Sequence, residues 1–213
     1  MNSVQLSFDI LLREGKVLPV MEEFYSIQGE GFNTGQAAYF IRIGGCDVGC
    51  KWCDVKESWH AADFPPVSTD LVVQHAASCP AKAIVVTGGE PLLYNMDYLC
   101  KELHLLDIRI FLETTGSQPL SGLWDWICLS PKKDAPPLNK LAGMANEMKV
   151  IVHDNTDFQW AEENSQLVSS ACMLYLQPEW SRHETMMPEI IRYIHTNPKW
   201  RISLQSHKYM HIP

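Results

Sequence analysis

The sequence predicts an α/β fold, a partial TIM-like barrel of about six parallel strands with helices outside. Short apolar, β-branched runs alternate with helical patterns, which is typical of βαβ units and a parallel sheet. Polar or glycine-rich motifs follow most of these runs, as at the carboxyl ends of strands in such folds. The 213 residues are too few for a closed barrel, which typically takes about 250.

The elements follow from the pattern in chain order. Strands are predicted at runs rich in branched and aromatic residues: Ala37–Ile43, Ala83–Thr87, Arg109–Glu113, Trp126–Ser130, Met148–Val152, Met173–Leu176 and Trp200–Leu204. Helices are predicted where apolar residues recur at helical spacing: Ser68–Ser78, Met96–Leu106, Asp157–Ser169 and Glu184–Thr196. The polar and glycine-containing stretch 23–31 is expected to be a loop before the first strand.

Bulk composition excludes several classes of protein. A net charge of −8 gives no basic footprint for nucleic acid, and no apolar run approaches the roughly 20 residues that span a membrane. Asp9 and Arg13 interrupt the apolar run near the N-terminus, so no signal peptide is predicted. Seven cysteines, an odd number, do not suggest a disulfide framework. We expect one domain over residues 1–213 in a reducing cytoplasm.

Three cysteines form the most specific motif. Cys46, Cys50 and Cys53 have the spacing C-x3-C-x2-C, and three thiolates on one loop can bind three irons of a [4Fe–4S] cluster. A structural zinc would need a fourth Cys or His, for which His60 is the nearest candidate. The fourth iron is left for a small molecule, and the spacing resembles that of radical S-adenosylmethionine (SAM) enzymes.

Polar motifs at the strand ends are candidates for binding SAM. Glu90, in Thr87-Gly88-Gly89-Glu90-Pro91, offers a carboxylate for an amino group, and its glycines allow a backbone to lie flat against a ligand. Glu113 suits ribose hydroxyls, or is a solvated acid at a strand end. Ser130 and Lys132 suit polar groups of SAM, or form an ordinary turn.

Longer stretches make the resemblance specific. They are Ser26-Ile27-Gln28-Gly29-Glu30-Gly31, Arg42, the cysteine motif followed by Asp54, Thr87-Gly88-Gly89-Glu90-Pro91, and the terminal Gln205-Ser206-His207-Lys208-Tyr209-Met210-His211-Ile212-Pro213. Together they resemble the 7-carboxy-7-deazaguanine synthase family of radical SAM enzymes, which serves queuosine and deazapurine biosynthesis. The resemblance covers residues 21–213 and leaves the first twenty outside it.

The resemblance implies a lyase that converts 6-carboxy-5,6,7,8-tetrahydropterin to 7-carboxy-7-deazaguanine with loss of ammonia. Glu30 would accept hydrogen bonds from the pyrimidine edge of the substrate. Arg42 would bind its carboxylate bidentately, although a surface strand residue is the alternative. The terminal carboxylate of Pro213 would also meet the pyrimidine edge. The full set of implied substrate contacts is Ile27, Gln28, Gly29, Glu30, Arg42, Thr87, His207 and Pro213.

The resemblance also implies cofactors and partners. These are the [4Fe–4S] cluster, SAM, Mg²⁺, flavodoxin or ferredoxin as electron donor, and a second copy in a homodimer. SAM contacts are implied at Trp52, Cys53, Asp54, Gly89, Glu90, Glu113, Ser130, Pro131, Lys132 and Gln177. The chain departs from the family at Val55, where a threonine hydroxyl commonly helps to bind Mg²⁺. Valine carries no oxygen, so a weaker magnesium requirement is predicted.

Two other functions use the same cysteine spacing. An activase that forms a glycyl radical on a partner protein would need an open surface, and would not need the stretch 26–31 or the terminal motif. A non-enzymatic iron–sulfur protein would leave the strand-end polar residues without a purpose. The synthase is therefore the leading hypothesis.

Overall fold

A computed structural model describes residues 3–213, with side chains from residue 8 onward. The described chain forms two compact units. The first contains the residues up to Ser26, then Ala37–Glu113 and Gln118–Trp126. The second contains Ile27–Gln36, Thr114–Ser117 and Ile127–Pro213. Each unit is thus assembled from segments that are far apart in the sequence.

The first unit is built on a mainly parallel sheet. Its helices and strands, in chain order, are α1 (Ser3–Arg13), β1 (Val17–Leu18), β2 (Val20–Ile27), β3 (Ala37–Ile43), β4 (Val67–Ser68), α2 (Thr69–Ser78), β5 (Ala83–Gly88), α3 (Asp97–His104) and β6 (Arg109–Thr114). The strands lie in the order β2-β3-β5-β6, with β3 parallel to β5 and β5 parallel to β6. A separate antiparallel pair joins β1 to β4.

One face of this sheet holds a small apolar core. Alternate residues of β3 and β5, among them Phe40 and Val85, pack there with Phe111 of β6. Phe24 of β2 stacks on Phe40 with ring centroids 5.0 Å apart. The same alternation continues from Phe40 to Arg42, so the core face leads directly to the strand ends that carry the polar motifs.

The second unit repeats the parallel arrangement. Its elements are β7 (Trp126–Leu129), α4 (Asn139–Ala142), β8 (Glu147–Val152), α5 (Thr156–Ser165), β9 (Met173–Pro178), α6 (His183–Thr196), β10 (Trp200–Ile202) and α7 (Ser206–Met210). The strands lie in the order β7-β8-β9-β10, and each neighbouring pair is parallel. Helix α5 packs on β8, and α6 packs on β9 and β10.

All seven predicted strands and four predicted helices are present, and β3 has the predicted bounds. Six helices and strands of the described chain were not predicted: α1, β1, β2, β4, α4 and α7. Helix α1 precedes the first predicted strand, and β2 takes up part of the stretch expected to be a loop, which begins only after Ile27. Charged and polar residues interrupt β2, so its sequence lacks a continuous apolar run. In the part of the chain described here, no helix is long and apolar enough to cross a membrane.

Candidate active site

The cysteine loop follows β3 in the first unit. Cys46, Cys50 and Cys53 are all partly buried free cysteines. Gly45 and Gly49 have φ values of +102° and +66°, a left-handed backbone that glycine adopts at little cost. These two glycines let the loop turn sharply on either side of Cys46.

The surroundings of Cys46 suit a thiolate ligand. Burial raises the pKa of its thiol, and the carboxylates of Glu90 and Asp47 act in the same direction. The backbone N–H groups of Val48 and Gly49 donate to its sulfur and lower the pKa. Such N–H donors stabilise iron-bound thiolates and tune the potential of a cluster. The three soft donors and these hydrogen bonds fit an iron–sulfur cluster.

Backbone hydrogen bonds fasten both ends of this loop. Gly45 N donates to Ser58 O at 2.6 Å, and Cys46 N donates to Trp59 O at 3.1 Å. From the next strand, Glu90 N donates to Gly45 O at 2.9 Å. Main-chain hydrogen bonds therefore help to set the position of Cys46.

Gly88 and Gly89 allow two segments of the backbone to approach closely. A Cβ at Gly88 would overlap the backbone of Ile43, and one at Gly89 would overlap the carbonyl of Gly45. Gly88 also has a φ of +133°. The two glycines therefore allow the end of β5 to pack against the start of the cysteine loop. This contact is internal to the protein, and the approach of Gly89 to SAM stays a prediction.

Glu90 is fully buried behind this contact. One of its carboxylate oxygens accepts a hydrogen bond from Leu92 N at 3.1 Å and caps the short 3₁₀ helix Pro91–Leu93. The cap fixes the direction of the carboxylate. A buried and oriented acid is suited to a cationic group such as the amino group of SAM, for which Glu90 remains a prediction.

The sheet register brings two predicted substrate contacts together. Arg42 of β3 and Thr87 of β5 are directly paired, so their side chains leave the same face. Arg42 donates through Nε to Glu22 at 2.7 Å, and its guanidinium lies 5.9 Å from the Phe24 ring centroid. The partly buried Glu113 lies near the end of β6. An arginine held through Nε can still present its two terminal nitrogens to a carboxylate.

Residues on either side of the third cysteine form the next part of the loop. Trp52 is half-buried and Asp54 is exposed. Val55 uses its carbonyl oxygen, which accepts hydrogen bonds from Ser58 N at 3.1 Å and Ser58 Oγ at 2.7 Å. The Val55 backbone is thus part of a turn, and its side chain offers no oxygen to a cation.

In the second unit, the stretch Ile27–Gln36 forms a closed loop. Gln28 N donates to Gln36 O, and Gly35 N donates to Gln28 O, both at 2.8 Å. The terminal helix α7 fastens this loop, because Ser206 donates to Gly29 O through both N and Oγ at 2.9 Å. A Cβ on Gly29 would overlap the His207 ring. Two predicted substrate residues, Gly29 and His207, are therefore in contact.

Glu30 of this loop is held as an anion by two partners. Lys149 of β8 lies 2.5 Å from Oε2, and Gln205 Nε2 donates to Oε1 at 2.9 Å. Burial alone would raise the pKa of Glu30. Lys149 in particular outweighs that effect, with help from Gln205 and His207, and lowers the pKa from 4.5 to about 2.

A second charged residue of β8 holds the same loop. Glu147 accepts a hydrogen bond from Phe32 N at 2.8 Å, and a Cβ on Gly31 would overlap its carboxylate. Gly31 has a φ of +65°. Neither Glu147 nor Lys149 was predicted as a site residue. Their signal in the sequence is that two charged residues, two positions apart, interrupt an otherwise apolar strand.

The remaining predicted residues lie elsewhere in the second unit. Lys132 donates to Ser130 O at 2.9 Å and to Ser130 Oγ at 2.5 Å, so the two residues flanking Pro131 are joined. Gln177 is buried at the end of β9 and accepts a hydrogen bond from Ser203 at 2.7 Å. Pro213 is exposed.

Comparisons with known proteins agree with this arrangement. The Radical SAM superfamily profile matches residues 40–129. The chain is 54% identical to the 7-carboxy-7-deazaguanine synthase of Flavobacterium psychrophilum, over 96% of this chain and 97% of the relative. It is 45% identical to the synthase of that name from Synechocystis, over 91% and 93%.

A solved structure gives the same result. The crystal structure of QueE from Escherichia coli superposes with a TM-score of 0.79 at 27% identity, covering 93% of this chain and 98% of that one. The matches confirm the predicted α/β fold class of the partial-barrel radical SAM type. They also confirm the predicted enzyme class, a radical SAM lyase that releases ammonia. The chain belongs to the 7-carboxy-7-deazaguanine synthase family of radical SAM enzymes.

Proposed function

We propose that the whole chain acts as a single radical SAM domain that converts 6-carboxy-5,6,7,8-tetrahydropterin to 7-carboxy-7-deazaguanine and ammonia. Family membership gives the reaction class. The observation that supports this substrate is the ion pair of Glu30, a partly buried carboxylate of the Ile27–Gln36 loop, with Lys149, which lowers the pKa of the acid. An ionised acid there can accept hydrogen bonds from the N–H donors along the pyrimidine edge of a pterin.

Three cysteines would hold the cofactor. Cys46, Cys50 and Cys53 would bind a [4Fe–4S] cluster, and the cluster with SAM, given one electron from the donor, would supply a 5′-deoxyadenosyl radical for hydrogen abstraction. Glu90 would bind the amino group of SAM, and Glu113 its ribose. The full proposed SAM set is Trp52, Cys53, Asp54, Gly89, Glu90, Glu113, Ser130, Pro131, Lys132 and Gln177.

The substrate residues would orient the pterin at both ends. Arg42 would bind the substrate carboxylate through its terminal guanidinium nitrogens, with Glu22 holding Nε. Thr87, paired with Arg42 in the sheet, would contact the same end. Glu30 would take the pyrimidine edge. The remaining proposed contacts are Ile27, Gln28, Gly29, His207 and Pro213.

The setting of the enzyme is part of the proposal. We place it in the cytoplasm, as a homodimer that receives electrons from flavodoxin or ferredoxin. Free cysteines and an oxygen-sensitive cluster both suit a reducing compartment. Mg²⁺ would be bound weakly, because Val55 offers no side-chain oxygen.

The test is anaerobic incubation of reconstituted protein with SAM, dithionite and the carboxypterin. The expected result is 7-carboxy-7-deazaguanine, identified by mass and ultraviolet absorbance, with ammonia in equal amount. Formation of 5′-deoxyadenosine without the deazapurine would contradict the proposed substrate and favour an activase. No SAM cleavage by a fully loaded cluster would favour a non-enzymatic iron–sulfur protein.

A further inference from the structure

Lys149 is an ammonium in the interior of a strand. Its neighbours Met148 and Val150 have no exposed surface, and Lys149 itself is 4% exposed. Burying an ammonium costs free energy that only close polar partners can offset. A buried lysine in β8 therefore needs an explanation beyond packing, since an apolar side chain could be buried at this strand position at a lower cost in free energy.

The loop that Lys149 reaches is already fastened by other contacts. Glu147 accepts the Phe32 N–H, Ser203 Oγ accepts the Gly31 N–H at 3.0 Å, and Ser206 donates to Gly29 O. All of these hold the main chain of the loop. Lys149 instead holds a side chain, through its ion pair with Glu30 Oε2. Through this ion pair, Lys149 acts on the charge and direction of the Glu30 carboxylate.

We propose that Lys149 is a positioning residue that acts through Glu30, holding the carboxylate ionised and aimed so that it can accept the N–H donors of the substrate's pyrimidine edge. The proposal rests on the proposed function. Gln205 completes the arrangement by donating to Oε1, so each carboxylate oxygen has a fixed partner. Lys149 itself contacts the acid and need not contact the pterin.

The charges around Glu30 support this role. Lys149 of β8 and His207 of α7 are the cationic neighbours of Glu30. Glu147, also of β8, contacts the loop at Phe32. Without Lys149, burial would act to raise the pKa of Glu30, with the Gln205 hydrogen bond and His207 opposing it. Because substrate binding requires the ionised acid, affinity in a Lys149 variant should fall as the pH is lowered.

The experiment compares three variants of the reconstituted holoenzyme: Lys149→Met, Lys149→Arg and Lys199→Met. Lys199→Met is the matched control, because Lys199 forms an ion pair with Glu162 at 2.5 Å on α5, away from the loop. The carboxypterin Kd and the kinetic constants are measured from about pH 5 to about pH 8.5. Iron content and thermal unfolding report whether each variant is folded.

Lys149→Met should raise Kd and KM about tenfold or more, with a smaller change in kcat. Its pH profile should also show an acid limb, a fall in affinity at low pH that the unaltered enzyme lacks. Lys149→Arg should restore the flat pH profile, and Lys199→Met should keep it. Folded Lys149→Met with unaltered, pH-independent affinity would overturn the proposal. If the unaltered holoenzyme neither binds nor converts the carboxypterin, the proposed function fails instead.

A double variant covers the case in which Lys149→Met is poorly folded. Glu30→Gln removes the acid through which Lys149 is proposed to act. Adding Lys149→Met to Glu30→Gln should then change Kd little further and leave no acid limb, because both changes interrupt one interaction. A further large loss of affinity in the double variant relative to Glu30→Gln would show that Lys149 acts independently of Glu30 and would overturn the proposal.

Discussion

Gly89, at the end of β5, packs directly on the carbonyl group of Gly45, at the start of the cysteine loop. These two segments of the chain approach so closely that no Cβ fits at position 89. Gly89 N also donates to Ile43 O at 2.9 Å, which holds the contact in register. The predicted SAM-binding strand end and the predicted cluster loop are thus one packed structure.

Gly89→Ala should therefore damage the cluster site. The added methyl group must displace backbone, which in a packed interior costs about 1–3 kcal/mol or more. We expect lower iron content after anaerobic reconstitution and a lower Tm. Gly143→Ala is the control, because its Cβ would have no neighbour closer than 3.5 Å. Full iron content in Gly89→Ala would show that the loop does not depend on this contact.

Replacing Cys46, Cys50 or Cys53 by Ala should remove the brown chromophore near about 400 nm that thiolate-bound [4Fe–4S] centres show. Each variant lacks one of three iron ligands. Cys79→Ala and Cys172→Ala should keep cluster and activity and lose only some packing energy. Iron analysis with absorbance decides the matter, and undiminished iron in all three of the first variants would refute the assignment.

Arg42→Lys should raise the Kd for the carboxypterin about tenfold or more, since an ammonium cannot reproduce a bidentate contact to a carboxylate. Glu22→Gln is the matched control. It leaves the guanidinium in place and removes only the charge of its Nε partner, so we expect a smaller loss of affinity than in Arg42→Lys. Equilibrium binding to anaerobic protein measures both. Equal affinity of Arg42→Lys and the unaltered protein would remove Arg42 from the substrate site.

Activity should depend only weakly on Mg²⁺, and Val55→Thr should strengthen that dependence. The Val55 side chain supplies no oxygen ligand, and its carbonyl already accepts two hydrogen bonds from Ser58. Activity is titrated with Mg²⁺ after chelation in both proteins. A tight and absolute Mg²⁺ requirement in the unaltered protein would contradict this interpretation of Val55.

Much of the fold was predictable from the local pattern of apolar residues in the sequence. The branched run Ala37–Ile43 became β3 with the predicted bounds, because a buried parallel strand is apolar throughout. Strand β2 was missed for the opposite reason. It contains Glu22 and Glu23, and its residues are all either exposed or only partly buried. A strand that is half-exposed along its length gives no continuous apolar signal.

The candidate site was predictable where chemistry is local in sequence. Three cysteines within one loop specify a cluster by spacing alone. The environment of Glu30 was not predictable in this way, because Lys149 lies 119 residues further along the chain and Gln205 lies 175 residues further. Residue identity suggested an acid that receives N–H donors. Only the fold shows which groups keep that acid charged.

The bond between Ser206 and Gly29 has a consequence for synthesis of the chain. During translation Gly29 leaves the ribosome 177 residues before Ser206. Contacts of such long sequence separation form slowly, and domains of a nascent chain fold as units. The Ile27–Gln36 loop is therefore without its partners in α7 until that helix has been synthesised.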